Sequence, residues 1–186
     1  MPIDARTAAR VLAESDQLVS PEQVQATLET MAAGISDRLS DSDPLVLSVM
    51  TGGLIFTGQL LPLLDFPLQL DYIHASRYRG ETRGGDTLHW IARPTLPVEG
   101  RNVLVLDDIL DEGLTLAAIV DWLRQAGARS VTTAVLVRKL HDRCIEEIEA
   151  DFVGLELEDR YLFGCGMDYH NYHRNLPGIH AVGEST

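Results

Sequence analysis

Cysteine, basic side chains and long apolar runs are all scarce in this chain of 186 residues. The two cysteines, Cys144 and Cys165, are too few for a disulfide scaffold of this size, so we predict two unpaired thiols. No apolar run reaches the roughly 18 residues that a membrane span needs. The opening residues 1–10, MPIDARTAAR, contain no apolar segment typical of a secretory signal. These features predict a soluble, cytoplasmic protein with no membrane partner.

The charge balance is strongly acidic. Lysine and arginine number 15 against 28 aspartates and glutamates, which gives a formal net charge of −13. A general nucleic-acid binder needs a basic surface, so we predict no nucleic-acid partner. An anionic small ligand stays compatible with this composition, because a bound cation can reverse the local charge.

Apolar runs alternate with helical patterns along what we predict to be a single domain, 1–186. Buried strands are predicted at 45–50, 103–106 and 131–137, with further strands at 68–75, 87–92, 152–154 and 161–164. Helices are predicted over 4–40, 54–64 and 116–125, with a helix start at 20–23. The alternation predicts an α/β fold with a mainly parallel central sheet flanked by helices. Within it we expect an N-terminal helical part (1–44), a core (45–150) and a C-terminal region (151–186).

The stretch VLVLDDILDEGLT, residues 103–115, places three aspartates directly after a predicted buried strand. Ligands of parallel α/β sheets bind at the carboxyl ends of the strands, so this stretch and the turn at 51–53 form the expected site. The start of the next helix offers backbone N–H groups, Gly113 permits close approach and Thr115 adds a hydroxyl. Together these groups predict a phosphate cradle.

The aspartates themselves would repel a phosphate. Carboxylates are good acceptors for vicinal sugar hydroxyls, which suits Asp107 and Asp108, and Asp111 is free to act as a base. A phosphorylated ribose fits this combination. The alternative is a solvated acidic loop with a helix cap, but the apolar strand, the glycine and the threonine favour a ligand site.

The same stretch resembles the phosphoribosyl-pyrophosphate motif of type I phosphoribosyltransferases. The resemblance extends to the 6-oxopurine branch through VMTGG (49–53), LVRK (136–139), DFVGLELEDRYLFGCGMDY (151–169) and Arg174. The block at 151–169 is typical of hypoxanthine-guanine phosphoribosyltransferases. It implies the type I fold, with a small hood built from the chain ends that carries the base-binding region, and assembly as a homodimer or homotetramer.

The resemblance also implies a role for each matched residue. Asp107 and Asp108 would bind the ribose hydroxyls, and Asp111 would be the catalytic acid/base beside N7 of the purine. The phosphoribosyl site would comprise Asp107, Asp108, Asp111, Glu112, Gly113, Leu114 and Thr115. The pyrophosphate site would comprise Thr51, Gly52, Gly53, Arg77 and Arg174. The purine would meet Lys139 at its 6-oxo group, Tyr161 by stacking, Leu162 through its backbone, and Asp168. The implied cofactor is Mg²⁺, with Asp107, Asp108 and Asp168 as its ligands.

Among the departures from the family pattern, two bear most directly on the site. Thr51 stands where lysine is common, and Asp107 stands where glutamate is usual. The resemblance implies a cis peptide bond before Thr51. It also implies that the glycine-rich segment 76–86 is a mobile lid, from which Arg77 and Arg79 could compensate for the absent lysine.

The implied reaction converts hypoxanthine or guanine and 5-phosphoribosyl-1-pyrophosphate to IMP or GMP and pyrophosphate, a step of purine salvage. The alternatives are a xanthine-preferring transferase, a non-catalytic regulator that senses phosphoribosyl pyrophosphate, and an interaction module with a degenerate site. Retention of Asp111, Lys139 and Tyr161 favours an enzyme. His170 and His173 lack a suitably spaced third ligand, so we predict surface residues there and not a zinc site.

Overall fold

The computed structural model describes residues 3–77, 88–145 and 148–183, and these form an α/β protein with two sheets. The helices are α1 (Ala5–Ala13), α2 (Pro21–Leu39), α3 (Gly53–Leu60) and α4 (Leu114–Gln125), and a 3-10 turn (Leu61–Leu63) follows α3. The strands are β1 (Asp16–Val19), β2 (Leu45–Met50), β3 (Gln69–Arg77), β4 (Leu88–Ala92), β5 (Asn102–Leu110), β6 (Ser130–Leu140), β7 (Phe152–Glu158), β8 (Leu162–Phe163) and β9 (Ile179–Ala181).

The larger sheet has its described strands in the order β4-β3-β2-β5-β6-β7. Every pairing from β3 to β7 is parallel, and β4 alone pairs antiparallel at the edge. The predicted mainly parallel sheet is therefore confirmed. Because parallel strands end at the same edge of a sheet, the segments that follow β2, β5, β6 and β7 meet there.

Helices cover both faces of this sheet, and strand β5 shows why. Its side chains alternate, so that Val103 and Val105 join the core under α4, whereas Leu104 and Leu106 join the core under α2 and α3. All four are at most 1% exposed. A strand that is buried on both faces has a continuous apolar sequence, and this pattern predicted the strand at 103–106.

The smaller sheet is the hood, and it has the strand order β1-β9-β8. Both pairings are antiparallel, and they join a strand near the amino end of the chain to two strands near the carboxyl end. Leu162, Ile179 and Ala181 pack into the same core cluster as α2 and α3. The expected hood from both chain ends is thus confirmed, whereas β7 pairs with β6 in the larger sheet.

The amino-terminal part departs from the sequence prediction. The prediction that residues 4–40 are helical is wrong at 16–19, because strand β1 lies between the two helices and pairs with β9. The predicted helix start is confirmed: Ser20 caps α2 in a reciprocal capping box with Gln23, and Pro21 occupies the first turn. Pairing with a strand more than 150 residues away is a tertiary effect that a local pattern does not reveal.

Strand β5 is also longer than predicted. It continues to Leu110, so Asp107 and Asp108 lie within the strand and not after it, paired alongside β6. Helix α4 starts at Leu114, which leaves Asp111 in the bend between strand and helix. The predicted lid spans 76–86, and its residues 78–86, which include Arg79, lie outside the described residues. The side chain of Arg77 also lies outside the described part of the structure.

None of the helices in the described ranges combines the length and apolar character required to cross a bilayer.

Candidate active site

A cavity of about 390 Å³ opens at the carboxyl ends of the parallel strands. Its wall contains ten of the residues that the sequence predicted for the site: Gly52, Asp107, Asp108, Asp111, Glu112, Gly113, Leu114, Thr115, Asp168 and Arg174. They come from three separate segments of the chain: the turn after β2, the segment from β5 to α4, and the loop after β8. Thr51, Gly53, Lys139, Tyr161 and Leu162 are not part of this wall.

Asp107 and Asp108 are buried beneath the cavity, with 9% and 7% of their surfaces exposed. Burial raises the pKa of Asp107 well above its ordinary value, and the neighbouring Asp108 carboxylate adds to the effect. Burial also raises the pKa of Asp108, although its hydrogen bond with Asp107 and the charge of Arg174 oppose that shift. Two adjacent buried carboxylates of this kind favour a ligand that brings hydroxyl donors or a cation.

The turn after β2 packs directly against this acidic pair. A Cβ built on Gly52 would lie 2.1 Å from Oδ2 of Asp108, so only glycine leaves room for the carboxylate. A Cβ on Gly53 would lie 2.7 Å from the carbonyl oxygen of Leu106, so the start of α3 packs too closely against β5 for a side chain at this position. The Met50–Thr51 peptide bond is cis, as the resemblance implied.

The loop after β8 closes the other side of the pair. Gly166 adopts a φ of +105°, and a Cβ there would lie 2.0 Å from the carbonyl oxygen of Gly52. Arg174 donates to the carbonyl oxygen of Gly166 at 2.6 Å and lies 2.5 Å from Oδ1 of Asp168. Arg174 and Asp168 therefore reach the cavity as an ion pair tied to the hood.

The bend between β5 and α4 has the geometry of an anion cradle. Gly113 is the N-cap residue of α4 with a φ of +81°, and in the described structure no side chain caps this helix start. The first backbone N–H groups of the helix thus remain available to a ligand. The backbone N–H of Ile145 donates to the carbonyl oxygen of Glu112 at 3.0 Å, and this bond fixes the bend from behind.

The carboxylate of Asp111 contacts two side chains, one at each oxygen. Its Oδ2 lies 3.0 Å from Nζ of Lys139, and its Oδ1 lies 2.6 Å from Nε2 of His141. Burial disfavours ionisation of Asp111, but the hydrogen bonds from Lys139 and His141 outweigh it and lower the pKa of the carboxyl below its ordinary value. Asp111 is therefore an anion at neutral pH.

A second acid completes this cluster. Nζ of Lys139 lies 3.7 Å from Asp159, and Arg143 binds the same carboxylate through two hydrogen bonds of 2.7 and 2.9 Å. The hydrogen bonds from Arg143 lower the pKa of Asp159 to about 2. The Lys139 side chain is only 12% exposed, so its ammonium is largely withdrawn from water between two carboxylates.

Two further residues that the resemblance assigns to the purine, Tyr161 and Leu162, lie at the hood. Tyr161 is 50% exposed, and its ring centroid lies 5.3 Å from that of Tyr169 in an edge-on arrangement. Leu162 is buried in β8 and pairs with Ala181, so its side chain belongs to the core and only its backbone can contact a ligand.

Two groups of side chains carry donor atoms that suit a cation. Asp111, His141 and Asp159 are the one described set whose side-chain ligand atoms all lie within 4.8 Å of one another. Lys139 and Arg143 already neutralise that set. The cavity carboxylates Asp107, Asp108 and Asp168 are a separate group of hard oxygen donors, the type that Mg²⁺ prefers.

Sequence reasoning missed His141, Arg143 and Asp159. A signal did exist: His141 and Arg143 directly follow β6, Asp159 directly follows β7, and these strands are parallel neighbours. Residues just beyond the carboxyl ends of adjacent parallel strands are expected to meet at the site.

Comparisons with known proteins agree on one family. The family model described as phosphoribosyl transferase domain matches residues 14–170. The hypoxanthine-guanine phosphoribosyltransferase of Bacillus subtilis (strain 168) is 35% identical over 162 residues, which cover 87% of this chain and 89% of that protein. The hypoxanthine-guanine-xanthine phosphoribosyltransferase of Tritrichomonas foetus is 34% identical over 169 residues, covering 91% and 92%.

Solved structures show the same likeness. A hypoxanthine-guanine-xanthine phosphoribosyltransferase matches with a TM-score of 0.82 and 31% identity, covering 91% of this chain and 97% of the other. A hypoxanthine phosphoribosyltransferase from Staphylococcus aureus matches with a TM-score of 0.86 and 25% identity, covering 96% of each chain.

Proposed function

The chain belongs to the phosphoribosyl transferase domain family, and on that basis we propose that it is a purine salvage enzyme. It transfers the phosphoribosyl group of 5-phosphoribosyl-1-pyrophosphate to hypoxanthine or guanine, which yields IMP or GMP and pyrophosphate. The observation that carries the proposal is one cavity that joins two buried carboxylates to an uncapped helix start. Sugar hydroxyls and a 5′-phosphate are the groups that such a wall can bind together.

In this proposal the cradle at residues 111–115 holds the 5′-phosphate, while Asp107 and Asp108 accept hydrogen bonds from the ribose hydroxyls. As pyrophosphate leaves, positive charge develops on the ribose ring. The carboxylates beneath the ring stabilise that charge more in the transition state than in the ground state, which is the condition for a faster reaction. Thr51, Gly52, Gly53 and Arg174 would bind the leaving group, together with Arg77 from the edge of the lid segment.

The purine would bind between the charged cluster and the hood. Lys139 donates to the 6-oxo group, Tyr161 stacks on the ring, and the backbone of Leu162 contacts its edge. Asp111 then accepts the proton from N7 as N9 attacks C1 of the ribose. The close pairing of Asp111 with Lys139 supports this division of roles, because one ligand can contact both side chains.

Mg²⁺ is the proposed cofactor, and the acids of the cavity suit it. Asp107 and Asp108 are buried, and burial opposes their ionisation, so a nearby divalent cation would favour the charged forms. Asp107, Asp108 and Asp168 would hold the ion with bound water completing the contacts, because their ligand atoms are not all within 4.8 Å of one another. When bound, it would neutralise the charge of the pyrophosphate.

We further propose that the protein assembles as a homodimer or homotetramer. Leu70 and Tyr72 on β3 and Ile91 on β4 are between 43% and 54% exposed, and apolar side chains exposed on neighbouring strands suit a surface against which a second copy packs. Size-exclusion chromatography with light scattering tests this, and a monomer at micromolar concentration would contradict it.

The activity test is direct. The purified protein is mixed with phosphoribosyl pyrophosphate, Mg²⁺ and, separately, hypoxanthine, guanine, xanthine, adenine or uracil, and nucleotide is measured by chromatography. We expect IMP and GMP, and loss of both when EDTA is added. Xanthosine monophosphate alone would favour the xanthine-preferring alternative, and binding without any product would favour a phosphoribosyl-pyrophosphate sensor.

A further inference from the structure

We propose that His141 is a positioning residue that fixes the carboxylate of Asp111 for proton transfer. The inference rests on the proposed function, because it assigns a role within the same reaction. Its basis is a pair of hydrogen bonds that determine both the orientation of the imidazole and the oxygen of Asp111 that it binds.

The first bond fixes the tautomer of His141. The backbone N–H of Arg143 donates to Nδ1 of the imidazole at 3.0 Å, so Nδ1 is an acceptor and carries no proton. The proton of the neutral ring therefore lies on Nε2, which is 2.6 Å from Oδ1 of Asp111. The side chain is only 4% exposed, so water has little access to either bond.

The second bond, from His141 to Asp111, leaves the two carboxylate oxygens of Asp111 with different partners. Oδ1 is bound by His141, and Oδ2 is bound by Lys139 at 3.0 Å. When Lys139 turns to the 6-oxo group of a purine, Oδ2 is released to accept the N7 proton. His141 keeps Oδ1 throughout, so the carboxylate does not rotate at the moment when its orientation matters.

The neighbouring Arg143 does not fill this role. Arg143 is 3.8 Å from Asp111, beyond normal hydrogen-bond length, and its guanidinium is bound to Asp159 at 2.7 and 2.9 Å. Asp111 itself is 40% exposed and lies in a bend. A carboxylate so placed needs a fixed partner if it is to keep one rotamer.

Two substitutions separate this role from a purely structural one. In His141→Gln, the side-chain amide N–H can reach the position of Nε2 and still donate to Asp111, whereas the acceptor for Arg143 is lost. In His141→Asn, the side-chain oxygen can stand in for Nδ1 and keep the bond from Arg143, whereas the donor to Asp111 is lost. The two variants therefore remove opposite bonds of the same ring.

The experiment measures kcat and KM for both substrates in the wild type and in each variant, with thermal unfolding as a check on folding. We expect His141→Asn to lower kcat by about 10- to 100-fold, as for loss of a hydrogen bond to a charged group, while KM for phosphoribosyl pyrophosphate stays within about twofold. His141→Gln should turn over at least about 10-fold faster than His141→Asn.

The opposite order, with His141→Gln the slower variant, would show that the bond to Arg143 matters and would overturn the proposal. Equal kcat in both variants and the wild type would overturn it as well. If the wild type formed no nucleotide from any purine, the proposed function and this inference would fail together. An active wild type with unaffected variants would remove only the inference.

Discussion

Nζ of Lys139 lies 3.0 Å from Oδ2 of Asp111, and Lys139 is the only lysine in the chain. Apart from the histidines, every other basic side chain is an arginine. The one lysine thus lies beside the proposed catalytic acid/base. An ammonium is a compact point charge that can move between a carboxylate and a carbonyl, whereas a guanidinium is a planar, rigid fork. In the proposed reaction, Lys139 of this pair would bind the purine and Asp111 would accept its proton.

Asp111→Asn should separate catalysis from binding. The amide keeps the shape and can still accept a hydrogen bond, but it cannot take a proton from N7. We expect kcat to fall by about 10²- to 10⁴-fold, the usual contribution of a general base, with little change in KM for phosphoribosyl pyrophosphate. Steady-state kinetics check this, and small, equal changes in kcat and KM would contradict the assigned role.

Lys139→Ala should weaken purine binding specifically. The substitution removes the donor to the 6-oxo group, so KM for hypoxanthine should rise by about 10-fold or more, as for a lost hydrogen bond to a charged group. Calorimetric titration should still detect phosphoribosyl pyrophosphate. Arg138→Ala is the matched control, because Arg138 is the adjacent residue and forms an ion pair with Glu156. Unchanged hypoxanthine affinity in Lys139→Ala would remove the assignment.

Gly52→Ala should disturb the site although its backbone tolerates alanine. Gly52 has a φ of −61°, so only the added methyl matters, and it would meet Oδ2 of Asp108 at 2.1 Å. We expect kcat/KM to fall by about 100-fold, as for a shift of about 1 Å in a reacting group. Gly58→Ala is the control in α3.

Gly58 is exposed, and a Cβ there would have no heavy atom within 4 Å, other than its own chain neighbours and helix backbone. That substitution should raise the free energy of unfolding by about 0.5–1 kcal/mol and leave activity unchanged. Equal activity of both glycine variants would mean that the contact with Asp108 is unimportant.

Asp107→Asn should stabilise the unliganded protein at neutral and alkaline pH. Burial raises the pKa of Asp107 in the folded state, so this residue's contribution to stability is present below its ordinary pKa and is lost as the pH rises through the raised value. Asparagine cannot ionise and avoids that loss. We therefore expect Asp107→Asn to have a higher free energy of unfolding than the wild type at pH 8.

Urea unfolding in EDTA at pH 8 and at pH 4 measures this effect. The gain from Asp107→Asn should shrink at the lower pH, where Asp107 of the wild type is protonated. A variant that is less stable than the wild type at pH 8 would contradict burial as the cause of the raised pKa.

Much of the fold was predictable because the signals were local. The apolar run at 45–50 and the cap at Ser20 each specify their own element, and both were confirmed. Strand β1 was missed because its four residues become a strand only by pairing with β9. The extension of β5 through Asp107 and Asp108 was missed because aspartate is disfavoured in strands unless neighbours pair with it.

The site was predictable to the extent that one sequence segment supplies it. The bend at 111–115 and the acidic pair are contiguous, so their shared cavity follows from a single motif. The cluster of His141, Arg143 and Asp159 comes from two segments, and its contacts with Asp111 depend on the order of strands in the sheet. Strand order is a global property, which a local pattern does not determine.

A crystal structure with GMP bound tests the proposed ligand site most directly. We expect the 5′-phosphate on the backbone N–H groups of residues 111–115, the ribose hydroxyls on Asp107 and Asp108, and the purine against Tyr161 with its 6-oxo group on Lys139. A nucleotide bound elsewhere on the protein, with this cavity left empty at saturating GMP, would contradict the proposal.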